Sequence, residues 1–166
     1  MQATSGSFER TGDIMIIPVF GKMEKAPNNT TVGLGRGASI AVKAAAASDA
    51  ISGKPGESLS VWTEGCTVIF VGVGNKEKLT HKGARDAGAK CLAKLSKDIG
   101  TEIVVRFTTG WKTANMAAFA EGMILRDYAF DKYQKNDEDE QDKGEWSLEC
   151  QAHDRHLEAL DAAVAK

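Results

Sequence analysis

Several things are scarce in this sequence of 166 residues, and each scarcity removes a class of protein. It has three cysteines, Cys66, Cys91 and Cys150, odd in number and far apart. That is no disulfide framework and suits a reducing compartment, the cytoplasm. No apolar run approaches the ~20 residues of a membrane-spanning helix. The opening "MQATSGSFER" has no basic stretch followed by an apolar one, so it is no secretory signal. Neither charge dominates: 21 Lys and Arg face 23 Asp and Glu, for a net charge of -2 and a pI near 5.9. That balance argues against an obligate nucleic-acid or membrane-surface binder. No serine sits in a nucleophile elbow, His81 stands alone, and no catalytic constellation is visible.

What is present reads as one ordinary domain with enough apolar residues, 42%, to build a core. "DIMIIPVF" (13–20) is a buried strand in which Pro18, lacking an N–H, belongs at a bulge or an edge. A Gly/Asn/Pro-rich loop over 21–37 precedes a helix from Ser39, with Ile40, Ala44, Ala47 and Ile51 on one stripe. "SLSVW" (58–62) alternates and predicts a half-exposed strand; "TVIFVGVG" (67–74) predicts one buried on both faces. Thr80 caps a helix with a stripe of Ala84, Ala87, Cys91, Leu95 and Ile99, stopped at Gly100. "TEIVVRFT" (101–108) is another strand, and Thr113 opens a helix carrying Met116, Ala120, Met123 and Ile124. The run 136–145 reads as an exposed charged loop, 145–150 as a strand with Trp146, Leu148 and Cys150 on one face, and the last helix starts near Asp154 with Leu157, Leu160 and Val164 inward. Alternating strands and helices predict an α/β domain with a mixed sheet and helices on both faces. The last helix runs to Lys166 without a breaker, which suggests a chain cut at a domain junction.

Three patterns carry candidate chemistry. "VGLGRGAS" (32–39) places Gly33, Gly35 and Gly37 ahead of a helix, where backbone N–H groups can hold an anion or a nucleotide phosphate. The spacing is not a dinucleotide or P-loop fingerprint, so the loop reads equally as a flexible lead-in using positive φ. "CQAHDRH" spaces Cys150, His153 and His156 three apart, ligand-like for zinc. Only three ligands are there, and Cys150 shares a strand face with Trp146 and Leu148, so the core is the better place for it. Residues 75–97 hold seven bases against two acids, and 131–149 eight acids against three bases. The basic face, through Lys82, Lys90, Lys94 and Lys97, is a possible but unfavoured DNA contact beside a plain solvated helix face.

The stretches "VIFVGVGNKEKLT", "GARDAGAKCLAKL" and "AEGMILRDYAFDKY" resemble the N-terminal domain of the leucyl (cytosol) aminopeptidase family. Ala120, Glu121 and Gly122 match its A-E-G, and Tyr128, Phe130, Asp131, Lys132 and Tyr133 match its Y-x-F-D-K-Y signature. Arg126-Asp127 and Gln134 depart from the pattern. The resemblance implies a macro-domain-like three-layer sandwich, residues 1–166 forming a single non-catalytic N-terminal domain. It implies a cytosolic, hexameric peptidase acting on peptide N-termini with two divalent metals, Mn or Zn, in a catalytic C-terminal domain. That domain's N-T-D-A-E-G-R motif does not occur in the chain, so no catalytic or metal residue is assigned here and no cofactor is expected in this segment. The partners implied are its own catalytic domain, like subunits and the peptide substrate, with no membrane. The signature itself is expected to be structural, Phe130 and Tyr133 anchoring a helix end while Asp131 and Lys132 point outward. A stand-alone macro-like module binding ADP-ribose is the alternative, with the glycine loop as its site.

Overall fold

A computed structural model describes residues 2–6, 8, 11–95, 101–134 and 146–165, the side chains of 130–134 excepted. The described elements run β1 (Gln2–Gly6), β2 (Ile14–Phe20), α1 (Arg36–Ala46), β3 (Ser58–Thr63), β4 (Cys66–Gly74), α2 (His81–Ala93), β5 (Glu102–Arg106), α3 (Thr113–Gln134), β6 (Ser147–Gln151) and α4 (Asp154–Val164). One six-stranded sheet has the order β1-β6-β5-β2-β4-β3. Every pairing is parallel except β3 on β4.

Successive strand residues point to opposite faces, and both faces of the central strands are apolar. Ile14 and Ile16 of β2 join Ile103, Val105, Leu148 and Cys150 in a core covered by α2, α3 and α4. Met15, Ile17 and Val19 join Val68, Phe70 and Val104 in a second core covered by α1. The result is three layers, helices on both faces of a mixed sheet.

Four expectations need correction. β1 is an unforeseen strand: "QATSG" has no apolar alternation, and it forms only because β6 offers it a parallel partner, Gln2 opposite Ser147. Helix α1 begins at Arg36 rather than Ser39 and buries Val42 and Ala46, while Ile40 is 62% exposed. Its alanines supply several equivalent stripes, and the sheet selected another one. Helix α2 ends at Ala93 and buries Gly88 and Leu92 besides Ala84 and Cys91; Ile99 and Gly100 lie outside the described residues, as does the charged run 136–145. Pro18 sits in a central strand. It stands where β5 has ceased to pair, since that ladder covers only Ile14–Ile16, and the bulge follows it between Val19 and Phe20.

Other expectations match. Thr80 caps α2, its Oγ1 accepting from the Gly83 N–H at 3.1 Å. Strand β3 alternates exposed and half-buried, and β4 is buried up to Val73. Trp146, Leu148 and Cys150 all face the core.

Candidate functional site

In open α/β sheets, ligands lie outside the carboxyl ends of the strands, where neighbouring strands send their connections to opposite sides. Here that place lies beyond β2 and β5, and the chain fills it with its own side chains. Trp111 packs against Phe20 and Phe107 with ring centroids 4.9 and 5.0 Å apart. Phe119 closes the cluster, edge-on to Phe107 at 5.8 Å. The Trp111 indole N–H donates to the Pro18 carbonyl at 3.4 Å, so the ring is also held by its polar edge.

The other face of the same strand ends carries Arg106, fully buried at the end of β5. Its Nη1 donates to the carbonyls of Asn29 and Val32, each at 2.8 Å, and of Thr30 at 3.3 Å. Its Nε donates to Gln151 Oε1 at 2.8 Å, and the guanidinium lies 5.9 Å from the Phe8 ring. Loss of solvent pulls its pKa down to about 10, with Cys66 and Glu149 opposing the shift. A single cation thus fastens the 21–35 loop to β5 and β6. No sequence motif marks Arg106; its one local signal is an arginine directly after the apolar run "IVV".

The residues nominated from sequence fall in several places. Gly33, Gly35 and Gly37 are exposed at the start of α1. Gly33 has φ +82°, which favours glycine, whereas a methyl group at Gly35 or Gly37 would meet nothing within 4 Å. Cys150, His153 and His156 are not brought together as a ligand set. Cys150 is buried in β6, His153 stands edge-on to Phe8 at 5.3 Å, and His156 Nδ1 is 2.6 Å from Thr113 Oγ1. Among the described residues no cluster of three or more His, Cys, Asp or Glu could hold a metal ion. Of the basic face, Lys82, Lys90 and Lys94 are exposed and Lys97 lies outside the described residues. In the signature, Tyr128 is 67% exposed. Phe130, Asp131, Lys132 and Tyr133 continue α3, and their side chains, with the anchoring role expected of them, lie outside the described residues.

Burial pushes the thiol pKa of Cys66 up to about 11 and those of Cys91 and Cys150 to about 12, from an ordinary 9.0. All three are free and buried. Folded protein at pH 8 is therefore expected to leave all three unmodified by a thiol-reactive dye, and denaturant to release all three together. Rapid labelling of the native state would contradict this. What the buried neutral thiols contribute to stability is fully present below pH 9.0 and is lost as pH rises through about 11–12.

The "AEG" element has a geometric reason. Helices α2 and α3 cross with glycine on both sides of the contact. A Cβ at Gly122 would collide with the Arg85 carbonyl, and one at Gly88 with the Phe119 carbonyl. Ala120 is fully buried, and Glu121 reaches across to Arg85, Oε2 to Nη2 2.8 Å. Small, charged and absent side chains in that order let two backbones touch and tie their outer edges.

The sequence model of the cytosol aminopeptidase family, N-terminal domain, matches residues 16–137. The chain belongs to the cytosol aminopeptidase family. A curated relative, "Probable cytosol aminopeptidase" of Aquifex aeolicus (strain VF5), is 37% identical over 112 residues, covering 64% of this chain and 23% of that protein. Among solved structures, a mutant of tomato leucine aminopeptidase superposes with a TM-score of 0.64 at 17% identity, covering 99% of this chain and 36% of the other. The bottromycin maturation enzyme BotP in complex with Mn gives 0.52 at 16% identity, covering 93% and 28%. At those identities the two structures establish the shared fold. The chain spans about a quarter of the curated relative's length and about a third of the tomato enzyme's.

Within a cytosol aminopeptidase N-terminal domain, "VGVG" also has a packing reason. A Cβ at Gly72 would strike the Lys54 carbonyl, so this glycine lets residues 53–54 cross β4 at contact distance. The Gly74 N–H then donates to the Gly53 carbonyl at 2.9 Å. No helix among the described residues is long and apolar enough to cross a membrane.

Proposed function

We propose that residues 1–166 are the non-catalytic, assembly and regulatory N-terminal domain of a metal-dependent leucyl aminopeptidase, a cytoplasmic enzyme releasing N-terminal amino acids from peptides. The observation that carries this reading is the family match over 16–137, which covers β2 to α3. In this reading the two divalent metals, Mn or Zn, belong to a catalytic domain beyond these residues, and the domain's partners are that domain and like subunits of a hexamer. The ring cluster at the strand ends supports a packed support element over the ADP-ribose module, because it fills the crevice a nucleotide would need. The DNA reading rests only on exposed lysines, whose balance the acidic chain outweighs.

The purified 166-residue chain is expected to release no product from a leucine anilide, with or without Mn²⁺ or Zn²⁺. The same residues followed by the remainder of a full-length relative's catalytic portion are expected to turn over. Hydrolysis by the short chain above a metal-only blank would overturn the reading.

A further inference from the structure

Strand β3 is the open edge of the sheet, pairing only with β4 among the described residues. Its phase is fixed by the Gly72 N–H, which donates to the Glu57 carbonyl at 2.9 Å. In an antiparallel ladder, inward and outward main-chain groups alternate by residue. Leu59, Val61 and Thr63 therefore aim their backbone groups at β4, and Ser58, Ser60 and Trp62 aim theirs outward. The side chains alternate too. Leu59 and Val61 pack into the core beneath α1, so Ser58, Ser60 and Trp62 face the α2 side. Trp62 is 68% exposed there.

Beside that edge runs a groove of about 620 Å³, floored by Ile69, Val71 and Val73 and walled by Cys91 and Leu95. Its rim carries Lys78, Lys90 and Lys94 against Glu57 and Asp86. Two of these charges are already engaged. The Glu57 carboxylate accepts from Ser52 Oγ at 2.8 Å and from the Lys54 N–H at 3.2 Å. Lys94 Nζ donates to the Gly56 carbonyl at 2.6 Å, closing one end of the groove. Those bonds to neutral groups leave both charges in place, so the rim holds three lysines against two acids, a positive surplus of one over an apolar floor.

We propose that the β3 edge takes an extended peptide segment of a partner protein as a seventh strand, its apolar side chains leaning across the small Ser58 and Ser60 toward the groove floor and a carboxylate toward Lys90. Main-chain groups of Ser58, Ser60 and Trp62 supply the pairing, the floor and Trp62 supply apolar contact, and the lysines select an acid. Edge strands are usually blunted by lysine, proline or a bulge. β3 has none of these, and small serines leave its edge open. A second copy is the poorer occupant, since it would bring another basic α2 rim to the same face. The inference does not depend on the parent activity proposed above.

The test uses Trp62 as reporter, because Trp111 and Trp146 are buried. The full chain is titrated with the blocked peptides VTLTE and VTLTK. The acidic peptide is expected to give a saturable blue shift and to bind about tenfold more tightly, the worth of one charge-assisted contact. Ser60→Pro removes an outward N–H without touching the β4 ladder and should weaken binding by about tenfold. Lys90→Glu, a surface change, should invert the preference between the peptides. Equal binding of both peptides, no saturable shift, or an unaltered preference in Lys90→Glu overturns the proposal. So does a concentration-dependent dimer abolished by Ser60→Pro in sedimentation, which would assign the edge to a second copy.

Discussion

Arg106→Leu is expected to lower the melting temperature more than any other single substitution described here. Two effects compete. Removing a buried cation relieves its desolvation, which already pulls the guanidinium pKa down to about 10. Against this, leucine removes the guanidinium hydrogen bonds to the carbonyls of Asn29, Thr30 and Val32 and to Gln151 Oε1. Breaking a buried charge network by removing its charged member costs about 3–5 kcal/mol. The lost hydrogen bonds win because one guanidinium holds the loop carbonyls and Gln151 at once, and leucine replaces none of them. At about 2–4 °C per kcal/mol for a chain of this size, Tm should fall by roughly 6–20 °C. Arg106→Lys should recover part of the loss, since a lone ammonium cannot span both the loop carbonyls and Gln151. The specific readout is amide hydrogen exchange over residues 29–35, which should accelerate before global unfolding. Unchanged melting together with unchanged exchange in Arg106→Leu would show that the loop is held by something else.

Gly122→Ala is expected to be the next most damaging change, against the usual rule for helices. Alanine ordinarily stabilises an exposed helix interior by about 1 kcal/mol over glycine. Here the added methyl meets the Arg85 carbonyl of a neighbouring helix, main chain against main chain, and no rotamer can move it away. Overpacking of that kind costs about 1–3 kcal/mol and occasionally more; a methyl driven into a carbonyl falls at the upper end, and after the alanine gain the net loss should be about 2 kcal/mol and the Tm should drop by roughly 4–8 °C. Gly37→Ala is the control, in the first turn of α1 where the methyl meets nothing within 4 Å. It should hold or raise the Tm slightly. Glu121→Gln removes an exposed ion pair and should cost no more than about 1 kcal/mol. If Gly122→Ala and Gly37→Ala melt alike, close helix contact is not the reason for the "AEG" element.

How much of this was legible varied with the physics. Strands β2 and β4 were readable because burial on both faces leaves a continuous apolar run. The cap at Thr80 was readable because it is a local hydrogen bond between a side chain and a main chain three residues on. Helix α1 was readable as a helix but not in orientation: periodicity ranks stripes by size, and in an alanine-rich segment Val42 and Ala46 look no better than Ile40 and Ala44. The buried face of α2 includes Gly88, which no apolar scale counts. The strand β1 and the Arg106 network were missed for one shared reason. Each depends on a partner more than a hundred positions away or in another loop, and a local window holds no trace of it. The family signature was recognised from its letters, while the reason for its "AEG" part needed the neighbouring helix.

The pairing of β1 with β6 has a consequence in time. Gln2 lies opposite Ser147, so 145 residues separate the two partners in the chain. A ribosome adding about 5–20 residues per second makes the first strand roughly 7 to 30 s before its template exists. Until then "QATSG" has nothing to pair with, and its polar composition keeps the waiting strand from seizing another edge. Of the six described strands, the one made earliest is thus the last one placed.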